Sequence, residues 1–427
     1  MSNSLISTVT TRHRHYVLFM VTLVFVVNYL DRQILAILLP LIKAEFKLSD
    51  SALGLLAGPA FAVIYATLGI PLALVADRMN RRNIIAGSLA LFSLMTVFCN
   101  YASSFTQLLF ARFGTGIGEA GTGPSINSMI ADLYPPKERA TALSIYSAGL
   151  NVGLLIAFFG GGWIAQHYGW RAAFLASGLP GLALVFLFLV TVEEPKRGHS
   201  DGLADQTAAP GLLATAKFLW TQRSFRFIAL GTSMSAFGGY AGIAFVPSFL
   251  ARSHGMSPAQ IGLLLAITTG VFGFAGTALS GVIADRIGKV DLGRTMLVPV
   301  IATFIAVPFA PVFYLSPSLT WTIVALCFPS LLGASYLGPA YSATQGLVPL
   351  RMRATAAAIL LFVLNMIGLG LGPQTVGIIS DLLKPALGTD SLRWALLSTV
   401  ITTMAGAYCY WQASRTLQKD MARVLGT

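Results

Sequence analysis

Phe110-Ala-Arg-Phe-Gly-Thr-Gly-Ile-Gly-Glu-Ala-Gly-Thr-Gly-Pro-Ser125 sets Arg112 and Glu119 in the middle of an otherwise apolar, glycine-rich run. Seven residues make almost two helical turns, so both charges share one face, about 10 Å apart along the axis. Charge in hydrocarbon is costly and persists where it faces a cavity or a partner. An earlier apolar run supplies partners in Asn28-Tyr-Leu-Asp31-Arg32. These four ionisable side chains are the only ones that the pattern puts deep in a membrane.

The composition agrees. Of 427 residues 55% are hydrophobic and 10% charged, and the mean hydropathy is +0.74; a soluble domain carries roughly a quarter charged residues. The net charge of +12 is spread over short loops between apolar runs, which is a topology signal and no nucleic-acid stripe. Cys99, Cys327 and Cys409 form no spaced pair, so they define neither a disulfide framework nor a metal site. The apolar run from Tyr16 to Pro40 exceeds a signal-peptide core and lacks a small-residue cleavage site, so it reads as the first span. The absence of Asn-x-Ser/Thr sequons favours a bacterial inner membrane.

Apolar runs long enough to cross a bilayer predict twelve spans, at 16–40, 51–76, 83–101, 105–131, 139–165, 171–192, 225–250, 257–284, 294–314, 319–347, 353–379 and 391–413. The polar stretch Glu193–Gln222 is the expected cytoplasmic linker, dividing the chain into an N-terminal six-helix bundle (1–192) and a C-terminal one (223–427). With most Lys and Arg falling on one side, both termini are expected in the cytoplasm. The halves echo each other: Ala73-Leu-Val-Ala-Asp77-Arg78-Met-Asn-Arg81-Arg82 matches Gly281-Val-Ile-Ala-Asp285-Arg286-Ile-Gly-Lys289, and Arg139-Ala-Thr-Ala matches Arg353-Ala-Thr-Ala. Parallel repeats of this kind put a substrate site at their interface, near the midplane. The expected fold is all-α, twelve transmembrane helices in two pseudo-symmetric bundles.

Twelve spans, a central linker and paired Asp-Arg-x-x-x-Arg-type loops resemble the major facilitator superfamily along essentially the whole chain. Ala73 and Asn80 stand where that family's loop motif has glycines, which predicts looser helix packing there. Asn28-Tyr-Leu-Asp31-Arg32, Gly116-Ile-Gly-Glu119-Ala and Ile130-Ala-Asp-Leu-Tyr-Pro resemble its spinster branch, whose members move sphingolipids and lysolipids. The Asn-Tyr-x-Asp-Arg motif is also similar to that of organic anion:cation symporters; the Gly-Glu-Ala of the fourth span favours spinster. The resemblance implies that the first and fourth helices face each other across the cavity. It also implies that Asp77, Arg78, Arg139, Asp285, Arg286 and Arg353 clamp the halves together in the outward-facing state. Arg81, Arg82 and Lys289 read instead as positive-inside residues on a solvated face.

With Glu119 near the midplane, Asp31 lies roughly 4–5 Å and Arg112 roughly 9 Å towards the outside. Glu119 and Asp31 are therefore the expected proton carriers, since burial, a paired acid and a nearby arginine pull a carboxyl in opposite directions. Arg112 either neutralises Glu119 or holds an anionic headgroup, which a planar guanidinium suits. Arg32 points about 100° away from Asp31 and joins Asn28 as a substrate-binding candidate. The last six spans hold no Asp, Glu, Lys, Arg or His in their interiors; their polar candidates include Tyr240, Tyr336, Tyr341, Gln345, Asn365 and Gln374, of which Tyr336, Tyr341 and Asn365 are the binding choices. A cavity charged on one wall and apolar on the other suits an amphiphile.

Other classes lack their parts. No His-Glu-x-x-His, Gly-x-Ser-x-Gly or Gly-x-x-x-x-Gly-Lys occurs, so the chain reads neither as an enzyme nor as an ATP-driven pump. The fifth span also lacks the Gly-Pro pair common in proton antiporters, which leaves the direction of coupling open. The expectation is a monomeric, multi-pass transporter of a sphingolipid or lysophospholipid by alternating access. It would be coupled to protons, have no cofactor, and be surrounded by membrane lipid. The alternative is a proton-coupled symporter of a small organic anion.

Overall fold

The computed structural model describes residues 11–76, 79–195, 211–289, 291–349 and 352–425, and among these there is no strand. That is the expected solution for chain in hydrocarbon, where backbone groups must be satisfied within the segment. The first span, α1 (Thr11–Phe46), runs through Pro40 and stops at Lys47, whose φ is 52°. The second is broken at Gly58 into α2 (Asp50–Ala57) and α3 (Pro59–Ala76). Next comes α4 (Arg81–Asn100), whose N-cap is Asn80, its side chain accepting from the Asn83 N–H. Asn80 thus caps a helix where the sequence predicted loosening; Asp77 and Arg78 lie outside the described residues.

The fourth span is α5 (Phe105–Ala120), capped by Ser104, and α6 (Thr122–Leu133), parted at Gly121. Beyond it, α7 (Pro136–Leu155) passes through a π-turn at Ile156–Gly160 into α8 (Gly161–Thr191), which is interrupted at Gly169. That residue has φ 84°, a conformation open to glycine without strain. After the linker helix α9 (Leu212–Thr221) come α10 (Arg223–His254), α11 (Pro258–Leu265), a π-turn at Ala266–Phe272, and α12 (Gly273–Gly288). The chain continues through α13 (Leu297–Ala306), α14 (Phe309–Leu315), α15 (Leu319–Leu332) and α16 (Leu337–Gly346). It ends with α17 (Arg353–Leu364), a π-turn at Asn365–Leu369, α18 (Gly370–Leu387), α19 (Ser391–Leu397) and α20 (Thr399–Leu425).

Eight helical stretches among the described residues are long and apolar enough to cross a membrane, nine if the bent pair Gly293–Ala306 and Phe309–Leu315 is one span. Two of them, Thr141–Thr191 (51 residues) and Arg353–Arg423 (71 residues), far exceed the ~20 residues that one crossing takes. Each divides into two, at Gly169 and near Gly388. The fourth span is absent from that group because Gly121 splits it into helices of 16 and 12 residues. The organisation is consistent with twelve crossings.

Within each bundle, glycines let backbones touch. A Cβ at Gly118 would lie 2.6 Å from the Phe92 nitrogen, and one at Gly153 would lie 2.5 Å from the Val26 oxygen; the small-residue motifs of the sequence are packing surfaces. Gly372 is of the same kind, its missing Cβ 2.5 Å from the Phe237 oxygen.

Arg81 corrects an expectation. It is 1% exposed and donates to Glu194 Oε1 (2.7 Å), Ser128 Oγ (2.9 Å), the Pro195 carbonyl (2.9 Å) and the Asp132 carboxylate. Glu194 Oε2 also accepts from the Arg82 backbone N–H at 2.8 Å. Counting loop charges reads sidedness and misses a partner more than a hundred residues away. The start of the linker is fastened here to α4 and α6. Arg81→Gln is expected to leave Asp132 and Glu194 short of a counter-ion and to cost about 3 kcal/mol. A thermal-denaturation midpoint lowered by on the order of 5 °C checks this.

Candidate functional site

Arg32 and Asp31 leave α1 in different directions. The Arg32 guanidinium crosses to α5 and donates to Glu119 Oε2 from Nε (3.0 Å) and Nη2 (2.5 Å). It lies over three rings, with its central carbon 4.7 Å from the Phe61 centroid, 4.8 Å from Tyr65 and 5.1 Å from Tyr29. Phe61 and Tyr65 stack on each other, one turn apart on α3. The ion pair is therefore buried, charge-assisted and faced by π-systems, all of which favour a fixed geometry. Asn28 flanks the same carboxylate.

Asp31 turns the other way, into the packing of the first bundle. It is fully buried and its Oδ2 accepts from Thr96 Oγ on α4 at 3.0 Å, while among the described residues Oδ1 has no partner within hydrogen-bond geometry. Glu119 Oε1 is likewise unpartnered. Arg112, 3% exposed, also lies over the Phe61 ring, its central carbon 5.2 Å from the centroid, and its Nε has no hydrogen-bond partner among the described residues. Among the described residues it forms no ion pair. Of the two roles predicted for Arg112, neutralising Glu119 is taken by Arg32 instead.

Arg32, Gln33, Phe61 and Arg112 line a cavity of about 30 Å³ that Tyr240, Ala244 and Leu369 complete from the second bundle. That is room for a water or two. Tyr240 donates to Asn365 Oδ1 at 3.4 Å, and Asn365 opens the π-turn that leads to Leu369. Tyr341 is half-buried near the phenols of Tyr29 and Tyr65. Tyr336 stacks instead on Tyr410 of α20, inside the second bundle. Phe61 and Tyr65 escaped the sequence reading because an aromatic pair at i, i+4 is ordinary core spacing.

The bundles meet at the end of the molecule that carries Asp50. Arg252 of α10 grips Asp50 through Nη1 to Oδ2 (2.8 Å) and Nη2 to Oδ1 (2.6 Å). Lys43 pairs with the same carboxylate and Ser380 Oγ donates to Oδ2 at 2.7 Å. Asp381 accepts from the Asp50 and Ser51 N–H groups (2.9 and 2.8 Å), satisfying donors that a helix N-terminus leaves open. At the opposite end Asp285, Arg286 and Arg353 are exposed and make no ion pair among the described residues. Arg139 donates to the carbonyls of Ala131 (2.7 Å) and Tyr134 (3.3 Å). Among the described residues no cluster of His, Cys, Asp or Glu could hold a metal.

A buried charge cluster at the seam of two six-helix bundles is the layout of a secondary transporter. The family model of the Major Facilitator Superfamily matches residues 21–373, and the chain belongs to that superfamily. It is 34% identical over 404 residues to an MFS-type efflux pump of Mycolicibacterium smegmatis, covering 93% of this chain and 92% of the relative. It superposes on the inward-facing, unoccupied structure of a bacterial homologue of the human lysosomal transporter Spinster with a TM-score of 0.89 and 32% identity, over 96% and 99% of the two chains. A cis,cis-muconate transport protein of Acinetobacter baylyi is 29% identical over 84% of this chain and 86% of its own. The chain thus resembles the spinster branch and is related to an organic-anion transporter as well.

Proposed function

We propose that the chain is a proton-coupled transporter that moves an anionic or zwitterionic amphiphile, a lysolipid or sphingolipid, by alternating access. The observation that carries this reading is the two-sided cavity. One wall holds Arg32 and Arg112, with Glu119 bound to Arg32; the other, built of Tyr240, Ile243, Ala244 and Leu369, carries no Asp, Glu, Lys, Arg or His. Arg112, which forms no ion pair among the described residues, would take the headgroup, with Arg32, Asn28, Tyr341 and Asn365 around it and Tyr336 farther back. Glu119 and Asp31 each keep a carboxylate oxygen with no partner within hydrogen-bond geometry among the described residues, and these are the proposed proton sites; no cofactor enters this scheme. With both termini in the cytoplasm of a bacterial cell, the closed Asp50 end faces outwards. In that frame Asp77, Arg78, Arg139, Asp285, Arg286 and Arg353 would form the opposite gate, tightening when the bundles (1–192 and 223–427, joined by 193–222) rock within a single monomer.

One observation favours a second reading, a small organic anion. The cavity of about 30 Å³ would have to open far more for a lipid than for a dicarboxylate, and the muconate relative points the same way. The experiment is uptake of labelled lysolipid and of muconate into proteoliposomes under an imposed pH gradient, wild type beside Glu119→Gln. Gradient-driven lipid movement that the variant loses supports the first reading. Muconate uptake without lipid movement selects the second. Equal, gradient-blind lipid movement by both proteins would leave Glu119 a structural residue.

A further inference from the structure

We infer that the linker helix α9 and the first turn of α10 form a membrane-surface element that takes acidic phospholipid headgroups through Lys217, Arg223 and Arg226. The helix is two-faced in an unusual sense. Thr215 and Leu219 are fully buried against the second bundle, yet the outward face is apolar as well: Leu213 is 83% and Trp220 53% exposed. Leu213, Lys217 and Trp220 fall at i, i+4 and i+7, so they share that face. Leucine and tryptophan around a lysine that reaches upward is the composition of a helix lying in the headgroup layer.

Two further observations say what covers the face. The first is continuity with the bilayer. Gln222, with extended backbone, is the only residue between α9 and α10, and α10 is long and apolar enough to cross; α9 therefore sits where that crossing begins. The second is charge. From Gly211 to Arg286 the only acidic residue is Asp285, while Lys217, Arg223 and Arg226 are exposed and form no ion pair among the described residues. Asp420, beside Ser224, is 5% exposed and is engaged by the N–H and Oγ of Ser224 and by Arg423. A second copy would meet three like charges. The chain's own stretch 196–210 carries two bases and two acids and offers little complementarity.

The contact would be felt inside the protein. Gln222 Nε2 donates to the Leu347 carbonyl at 2.9 Å and Ser224 holds Asp420 of α20, so the α9–α10 junction is tied to the loop before α17 and to the last helix.

The test needs no substrate, so it stands or falls apart from the transport reading. A spin label is placed at Leu213→Cys in the full chain with Cys99, Cys327 and Cys409 replaced. Its accessibility to oxygen and to a water-soluble nickel chelate is compared in phosphatidylcholine vesicles and in vesicles containing one third phosphatidylglycerol. The label is expected to be immersed in the acidic vesicles. The K217Q/R223Q/R226Q variant should lose immersion by on the order of fivefold per cation, and K217R/R223K/R226K should keep it, which separates charge from misfolding. Equal chelate access in both vesicles overturns the proposal. So does protection that ignores lipid composition, which would mean cover by the chain itself, or protection that vanishes on dilution, which would mean a second copy.

Discussion

Arg32→Met is expected to cripple the protein, and Glu119→Gln in the same chain to restore its stability without restoring gradient-driven transport. The two groups form a buried pair, with side-chain exposures of 10% and 0%. Breaking such a pair from one side leaves an uncompensated charge and costs about 3–5 kcal/mol, whereas removing both charges is close to neutral. Methionine keeps contact with the rings of Phe61 and Tyr65, since its sulfur packs well on aromatics. The single variant should therefore lose roughly two to four decades of folded-to-unfolded ratio, read as a lowered thermal midpoint, and the double variant should recover it. Glu119→Gln alone is the mildest of the three, because its amide oxygen can still accept from Arg32. A stable, fully active Arg32→Met protein would show that Arg112, and not Arg32, is the counter-ion that matters.

The sequence disclosed this pair only in part. Four ionisable residues at membrane depth and the length of the apolar runs are one-dimensional facts, so the spans, the duplication and the cast of the charged site could be read directly. The partners could not. Asp31 and Arg32 are adjacent, and which of them turns towards α5 depends on how α1 is rotated by its packing on α7 and α8. The Asp50 cluster was invisible for another reason. Asp50 and Arg252 sit at helix ends, where charge is cheap and common, Asp381 lies just past the expected end of its apolar run, and only the meeting of α2, α10 and α18 makes them one network. Arg81 was misread because sidedness and burial are different properties of the same cation.

Gly262→Ala is expected to jam the molecule open at the Asp50 end while leaving each bundle intact. A Cβ at Gly262 would stand 2.1 Å from the Phe158 carbonyl oxygen, and Gly162 shows the reciprocal approach, with its missing Cβ 2.5 Å from the Pro258 oxygen. Both contacts run between the first bundle and the second, so the added methyl can be relieved by parting them. Neither obstacle is the far end of a flexible side chain; both are helix backbone. Overpacking of this kind costs about 1–3 kcal/mol or more, which is one to two decades in the closed-to-open ratio. Spin labels at the exposed positions Ala44 and Thr389 report the separation across that end and should shift to longer distances, with transport falling at least on the order of tenfold. Gly276→Ala supplies the contrast. Its Cβ would lie 1.5 Å from the Leu331 oxygen, between α12 and α15 of the same bundle, where no parting of bundles gives relief, so its damage should appear as lost folding. If Gly262→Ala instead lowers stability with unchanged label distances, the close approach serves packing and takes no part in the opening of the molecule.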